Sequence, residues 1–551
     1  MAPDDTADEN ASYRYLSTRG QDSGLTISSL CQFSFEEVVL NSVAPDGGLY
    51  IPEEIPRATA WESWGDLSFP ELAFEIMSLY ISPSEIPPAD LKDIIARSYS
   101  SFRSPEVTPL IQLKENHYLL ELFHGPTFAS KDIASQFLGN LLEYFLVKKN
   151  KGKTSIAGGH GTLYGHRDSL ILYDEFFLAD RHRLTFVGAT KGDAGSAAVH
   201  GLRGKRDISV FVMFPQAQIS PVQEAQITTV PDENVCSLAV AGTFDDCQNI
   251  LRRLQADRQA NEDFDLVSSR NWAQILAQIV LYFYSYFSLV KKSASFKTGD
   301  KVRFVIPTGK FGSILAGYFA LHMGLPVDKL VIATNENDIL DRFWKTGRYE
   351  KQRVGRGGHG VKKTLSPAMD ILTSYNFERL LWFLACEFAS SAGMDHLWNQ
   401  NQASQEVYQW FQDLDKKGFF GPVYRDVIRS ARRDFESERV TDQQTIETIK
   451  AVYRKSGYVL DPHSAVGAAA TQRSMNRTHA STPHISFSTA HPAKFSETVI
   501  RALHGEDGFS IVETSLTPAE LADLDKREKK ITVVNNDWQK VREIINARNS
   551  N

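Results

Sequence analysis

The stretch LTFVGATKGDAGSAAVHGL, residues 184–202, decides the class of fold. It passes from a β-branched run at 184–187 through a Gly-rich turn into a short helix at 196–202. Residues 302–323 follow the same order, with an apolar strand at 302–306, the turn PTGKFG and a helix. A strand followed by a turn and a helix begins a βαβ unit, which favours a parallel sheet.

The flanking segments continue this alternation. Further strands are predicted at 118–123, 208–214, 235–240 and 330–334, and further helices at 244–254, 272–290 and 314–323. The chain is therefore predicted to have an α/β fold. Residues 365–457 are amphipathic and rich in charge, the stretch 426–440 included, and are predicted to form a helical addition.

The composition and net charge of the chain exclude some classes of protein. A chain of 551 residues corresponds to about three or four domain-sized units. Its hydrophobic fraction of 42% is enough for a large core, so wholesale disorder is excluded. The net charge of −7 argues against a nucleic-acid binder, because neutralising phosphates requires a basic surface.

The cysteines and the N-terminus indicate a compartment. The first twenty residues are acidic and lack an apolar segment, which argues against a signal peptide or a mitochondrial presequence. The four cysteines are scattered without a CxxC pair: Cys31, Cys236, Cys247 and Cys386. This usage fits a reducing environment, so we expect a cytoplasmic protein.

The longest apolar stretch, 272–290, contains Gln, Ser and Tyr residues. We interpret it as a buried helix and expect no membrane contact. Ser268, Ser269 and Asn271 are candidates for its N-cap.

Three Gly-bearing turns follow strands and precede helices, at 124–132, 188–198 and 307–317. Such turns direct backbone N–H groups towards a ligand, and the helix dipole favours an anion there. The carboxyl ends of parallel strands are where ligands collect in an α/β sheet. Together the turns predict a site for an anionic cofactor. None has Rossmann or Walker A spacing, which disfavours NAD and ATP.

Lys131 is the candidate reactive group. It begins an amphipathic helix whose predicted buried face comprises Ile133, Phe137, Leu141, Leu142, Phe145 and Leu146. The positive end of the helix dipole lowers the pKa of an amine held there, and such an amine can form a Schiff base. A surface lysine at a helix start has the same sequence pattern, so both interpretations stay open at this point.

Longer motifs resemble a known family. The segments LELFHGPTFASKD, LTFVGATKGDAGSAA, PTGKFGSILAG, ATNENDILDRFW, LDPHSAVGAAA and STAHPAKF are similar to those of fungal-type threonine synthases. YLSTRG and APDGGLYIPEEIP near the N-terminus also match, so the resemblance runs from about 13 to 512. It implies an enzyme dependent on pyridoxal 5′-phosphate, of fold type II (tryptophan synthase β-like).

The resemblance also implies the domain organisation. We expect an N-terminal domain at 1–112, an α/β core at 113–350 and a helical addition at 351–460. Residues 461–551 would complete the core. The family reaction removes phosphate from O-phosphohomoserine and adds water to give threonine.

Site residues follow from the matched motifs. Lys131 would carry the Schiff base and move protons, and Thr489 would hydrogen-bond the pyridine nitrogen. Asp193 would lie near the phenolic oxygen of the cofactor and the substrate carboxylate. The cofactor phosphate would be held by the turn residues Gly309, Phe311 and Gly312. The candidate substrate contacts are Arg19, of the STRG motif, Thr190, Lys191 and Lys310.

Five residues in these turns differ from the family pattern. They are Ser130 (usually Phe), Lys191 (Ser), Ala194 (Thr), Lys310 (Asn) and Ser313 (Asp). Because the changes lie in the ligand turns, we expect a lyase with altered specificity, a fungal paralogue serving a specialised-metabolite pathway. The alternatives are an ordinary threonine synthase and a non-catalytic decoy. The sequence leaves a monomer and a homodimer equally open.

Two stretches exceed the family pattern, at 26–33 and 154–180. Translated intron sequence and a genuine lid loop are both consistent with the second. It contains His160, His166 and Asp168, whose spacing is not that of metal ligands, and we expect no metal site.

Overall fold

The computed structural model describes residues 13–20, 32–153, 181–256, 265–266, 270–354, 358–390, 396–479, 481–509 and 516–549. The proposed insertion at 154–180, including His160, His166 and Asp168, lies outside the described residues. So do Cys31 and most of the stretch 26–33. Among the described residues no group of three or more His, Cys, Asp or Glu side chains could hold a metal ion.

Two mainly parallel sheets form the framework. The strands are β1 Tyr15–Ser17, β2 Tyr50–Pro52, β3 Leu110–Lys114, β4 His117–Glu121, β5 Leu184–Ala189, β6 Ile208–Pro215, β7 Val235–Ala241, β8 Asp265–Leu266, β9 Val302–Pro307, β10 Val327–Thr334, β11 Tyr349–Glu350, β12 Arg353–Val354, β13 Gly358–His359, β14 Phe419–Phe420, β15 Phe435–Arg439, β16 His484–Ser488 and β17 Thr532–Asn535. A six-stranded sheet has the order β15-β10-β9-β16-β4-β3, and a five-stranded sheet has the order β17-β7-β6-β5-β8. Every neighbouring pair in them is parallel except β3–β4. The α/β fold expected from the sequence is confirmed.

Helices connect and cover the strands. They are Phe35–Asn41, Phe69–Ser78, Pro88–Tyr99, Lys131–Lys149, Asp193–Leu202, Pro221–Thr228, Phe244–Ala256, Trp272–Lys292, Gly312–Met323, Ile339–Thr346, Phe377–Ser390, His396–Lys417, Arg425–Asp434, Asp442–Ser456, Pro462–Arg477, Ser496–Leu503, Ala519–Ala522 and Trp538–Asn549. Short 3₁₀ turns occur at Trp61–Asp66, Pro367–Met369, Pro492–Phe495 and Asp523–Lys526. The bounds of the predicted strands and helices of the α/β core all lie within three residues of those observed.

The apolar helix Trp272–Lys292 lies in the protein interior. It is long and apolar enough to cross a membrane by composition, yet most of its side chains are buried against the rest of the chain. The Asn271 side chain caps it by accepting from the Ala273 N–H at 3.0 Å and also donates to the Val39 carbonyl at 2.6 Å. The prediction of a buried helix capped by Asn271 agrees with this placement. Ser268 and Ser269 lie outside the described residues.

One helical expectation is wrong in part. The stretch 426–440 was expected to be helical, but the helix Arg425–Asp434 is followed by β15, which pairs in parallel with β10. Arg303 binds Glu436 at 3.0 Å and Arg473 binds Glu438 at 3.1 Å. These partners are remote in sequence, so local helical periodicity could not reveal them. The region predicted as a helical addition thus supplies the edge strand of the large sheet.

Two glycines allow the helices Lys131–Lys149 and Asp193–Leu202 to touch through their backbones. A Cβ at Gly139 would lie 2.0 Å from the Gly201 carbonyl oxygen, and one at Gly201 would lie 2.5 Å from the Ser135 oxygen. Backbone atoms cannot move aside as a flexible side chain can. Both glycines are therefore required by the close packing of the helix that begins at Lys131.

Gly139→Ala is expected to lower the free energy of unfolding by about 2 kcal/mol, because the added methyl group separates the two helices. Urea denaturation followed by circular dichroism measures the change. The control is Gly65→Ala, whose Cβ would meet only the Phe287 ring at an ordinary 3.6 Å. Equal stabilities for the two variants would contradict the proposed backbone contact.

Candidate functional site

Four turns meet at the carboxyl ends of the strands. They follow β4 (122–130), β5 (190–192), β9 (308–311) and β16 (489–491), and we call this set the turn junction. β4 and β9 both neighbour β16, so parallel pairing brings three of the turns to one edge. The first and fourth are joined directly, by Ser130 N–H donating to the Thr489 carbonyl at 2.8 Å and by the bridge between Ala129 and Ala490.

Lys131 begins its helix at this junction, as predicted, and all six residues of the predicted buried face are buried. Its side chain is accessible, and no described residue forms a hydrogen bond or ion pair with its amine. The surrounding protein lowers the pKa of Lys131 by desolvation, and the negative charge of Asp193 partly opposes this. Lys131 therefore has the character of a reactive amine rather than of a surface lysine.

Asp132, the next residue, is fully buried. Its carboxylate accepts from the Thr127 hydroxyl at 2.7 Å and from the Thr127 N–H at 2.8 Å. Burial raises the pKa of Asp132 to about 6, against the opposing effects of these hydrogen bonds and of Lys494. Asp132 fixes the shape of the turn that presents Lys131.

Asp193 is held from two sides. Gln223 donates to its Oδ1 at 2.8 Å and Lys494 pairs with the same oxygen at 2.7 Å. Burial alone would raise the pKa of Asp193, but Lys494 and Gln223 hold it below its usual value. The carboxylate is therefore ionised at neutral pH and close enough to Lys131 to act on its charge. Lys494 lies in the STAHPAKF motif, but residue types alone gave it no role.

The turn after β9 is suited to an anion. Phe311 adopts a left-handed conformation (φ 68°) immediately before the helix Gly312–Met323. Among the described residues, none accepts a hydrogen bond from the backbone N–H groups of 309–312. A Cβ at Gly309 would lie 3.1 Å from the Ala368 carbonyl oxygen, so a side chain there would press against the backbone. Open N–H groups at a helix N-terminus are a binding site for phosphate.

Of the two lysines that depart from the family pattern, only Lys310 is close enough to Lys131 for its pKa to be affected by the Lys131 charge. Burial lowers the pKa of Lys310 to about 8, and the positive charges of Lys131 and Arg270 contribute. Lys191 instead places its ammonium 4.8 Å from the ring centroid of Phe244. The turn after β9 therefore gains a cation, whereas the cation in the turn after β5 is directed to a neighbouring helix.

Two predicted substrate contacts are engaged by protein groups. The buried Thr190 hydroxyl accepts from Gly192 N–H and Gly195 N–H, each at 2.9 Å, so it shapes its own turn. The Arg19 guanidinium forms a bidentate pair with Glu378, with N–O distances of 2.9 and 3.0 Å. Sequence spacing could not identify Glu378, which is distant in the chain and starts a helix in the predicted helical addition.

Thr489 is free to meet a ligand. Its hydroxyl has no hydrogen-bond partner in the part of the chain that the structure describes, while its N–H donates to Ser464 Oγ at 3.1 Å. Ser464 in turn donates to Asp461, which also binds His463 Nδ1 at 2.8 Å. His463 Nε2 accepts from Ala368 N–H, so the ring proton is on Nδ1. The LDPHSA motif thus holds the backbone of Thr489 in place through Ser464.

These groups fit pyridoxal 5′-phosphate. The open N–H groups of 309–312 suit its phosphate, the unpaired amine of Lys131 suits its aldehyde, and the free Thr489 hydroxyl suits its ring nitrogen. The ionised Asp193 lies close to that amine. The fold and site together define an enzyme of the α/β class that uses pyridoxal phosphate, of fold type II.

Comparison with known proteins gives the family. Residues 14–99 match the family model for the threonine synthase N terminus, and 464–545 match the threonine synthase C-terminal model. Threonine synthase of Saccharomyces cerevisiae is 49% identical over 539 residues, covering 95% of this chain and 96% of the relative. The chain belongs to the threonine synthase family. It is a lyase whose cofactor is pyridoxal 5′-phosphate.

Solved structures agree with this assignment. The crystal structure of threonine synthase from yeast has a TM-score of 0.86 at 47% identity, and the match covers 98% of this chain and 99% of that one. The pyridoxal-phosphate-bound threonine synthase from Brucella melitensis has a TM-score of 0.79 at 34% identity, with coverage of 98% and 99%.

The buried Asp132 is expected to make stability depend on pH. The pKa of Asp132 is about 6 in the folded state against its ordinary value of 3.8, so the folded state binds a proton as the pH falls towards 4.5 and the unfolded state largely does not. Relative to Asp132→Asn, the wild type should gain about 2 kcal/mol in the free energy of unfolding between pH 7 and pH 4.5. Urea titrations at both pH values measure this, and a constant difference would refute it.

Replacing Lys310 and Lys191 with the residues usual in the family is expected to have different effects. Lys310→Asn removes a like charge from beside Lys131, so the pKa of Lys131 should rise. Lys191→Ser should leave that pKa unchanged, because its ammonium lies against Phe244. The pH dependence of the rate at which pyridoxal phosphate binds Lys131 measures both. An equal shift in the two variants would be inconsistent with this placement.

Proposed function

We propose that the protein is an ordinary threonine synthase that converts O-phosphohomoserine and water to threonine and phosphate. The observation that carries this is the 49% identity to the Saccharomyces cerevisiae threonine synthase over 95% of this chain. The specialised-metabolite role expected from the five altered turn residues finds no support among the relatives. The ordinary enzyme, first held as the alternative, is the better supported of the two.

The reaction breaks the C–O bond to the phosphate and forms a new C–O bond to water at the neighbouring carbon. When bound, pyridoxal phosphate supplies an electron sink for carbanions formed next to the substrate nitrogen. The Lys131 Nζ, with its lowered pKa, accepts and returns protons at the substrate carbons. Asp193 stays ionised near Lys131, and its negative charge favours the protonated form of Lys131 Nζ.

We expect the phosphate and carboxylate of the substrate to bind near the cations of the turn junction. The Lys310 ammonium lies near Lys131, at the side of the turn after β9. Arg19 binds Glu378 through Nε and Nη2, so its Nη1 group is the donor it can offer to the substrate phosphate. We place the enzyme in the cytoplasm, acting on a small amino acid, as a monomer or a homodimer.

The proposal predicts growth of a threonine auxotroph that expresses the chain, and release of phosphate from O-phosphohomoserine by the purified enzyme. Lys131→Ala should lower that rate by on the order of a thousandfold, because it removes the proton-transferring amine. Lys297→Ala, at an exposed lysine remote from the junction, is the control. Malachite-green detection of phosphate gives the rates.

Borohydride treatment gives a second readout. It should fix the cofactor to the wild-type chain at Lys131, as seen by peptide mass, and leave Lys131→Ala unmodified. A chain that retains the cofactor in this way but neither releases phosphate nor supports growth would exclude the synthase and favour the decoy.

A further inference from the structure

Lys494 is a buried cation whose role is not explained by the motifs. It lies in the 3₁₀ turn Pro492–Phe495, directly after the turn that presents Thr489, and its side chain is 0% exposed. A buried ammonium is stable only when anions or carbonyl oxygens surround it. The groups that surround the Lys494 ammonium therefore indicate its role.

The turn after β4 and the helix that follows the turn after β5 supply those neighbours. Lys494 Nζ lies 2.7 Å from Asp193 Oδ1 and donates to the Thr127 carbonyl oxygen at 2.7 Å. The Thr127 carbonyl also accepts from Gln226 at 3.0 Å, so this position is fixed from a second direction. One lysine thus links the turns that present Lys131, Asp193 and Thr489.

The contacts on Asp193 are one-sided. Lys494 and Gln223 both bind Oδ1, and no described residue binds Oδ2. A carboxylate anchored through one oxygen has a fixed plane and offers its second oxygen to whatever lies beyond. The negative charge of Asp193 also acts on Lys131, since it partly opposes the lowering of the Lys131 pKa.

We propose that Lys494 is a positioning residue that holds Asp193 through Oδ1, so that Oδ2 faces Lys131 and the bound cofactor. Lys494 then contributes to cofactor affinity without touching the cofactor. Without Lys494, Asp193 would be buried next to a single neutral donor, Gln223, and burial would favour its protonated form.

A double-mutant cycle tests this, with the dissociation constant of pyridoxal phosphate as the readout. Lys494→Met and Asp193→Asn should each weaken binding by about tenfold or more. Because Lys494 acts through Asp193, the double variant should bind within about threefold of Asp193→Asn alone. Independent effects that multiply in the double variant would overturn the proposal and leave Lys494 as a purely structural link.

Lys494→Met leaves a buried carboxylate unpaired and can fail to fold. The double variant removes both charges, so its comparison with Asp193→Asn decides the question alone, whether or not the single variant folds. The control is Lys205→Met, which removes another partly buried lysine, paired with Glu143 at 3.2 Å. It should lower thermal stability and leave the dissociation constant unchanged. A weakened dissociation constant in this control would show that lost stability alone affects binding, and would overturn the proposal.

Discussion

Buried charge at the ends of parallel strands is the constraint on which the site depends. Asp132 and the side chain of Lys494 are 0% exposed, the Asp193 side chain is 9% exposed, and the accessible Lys131 lies beside them. Ionised groups can be buried there only if each has a partner, so Thr127 and Gln223 are held in place as well. The amine of Lys131, by contrast, has no hydrogen-bond or ion-pair partner among the described residues.

The framework makes this arrangement possible. β4, β16 and β9 are neighbours, so the turns that follow them open at one edge, and β5 brings Asp193 from the other sheet. The paired glycines Gly139 and Gly201 bring the helices behind Lys131 and Asp193 into backbone contact. The distance between these two functional residues is therefore set by packing remote from the chemistry.

Sequence patterns were sufficient to predict most of the strands and helices that position the site. The helix that starts at Lys131 has the predicted buried face, and β5, β6, β7 and β9 lie where the β-branched runs are. The strand β15 was not predicted because its sequence, FESER, is rich in charged residues. Its glutamates are paired with Arg303 and Arg473, which are distant in the chain. Glu378 was missed for the same reason, since only the folded chain brings it to Arg19.

The sequence by itself determined the α/β class and the positions of the three Gly-bearing turns, because these depend on local periodicity and on motif spacing. Two lysines, Lys191 and Lys310, depart from the family pattern, and only the tertiary structure decided which of them lies near Lys131. Lys310 does, whereas Lys191 lies against Phe244. The tertiary structure also gave Lys494 its place between Thr127 and Asp193. Side-chain direction and charge pairing depend on neighbours distant in the chain, and no local pattern encodes them.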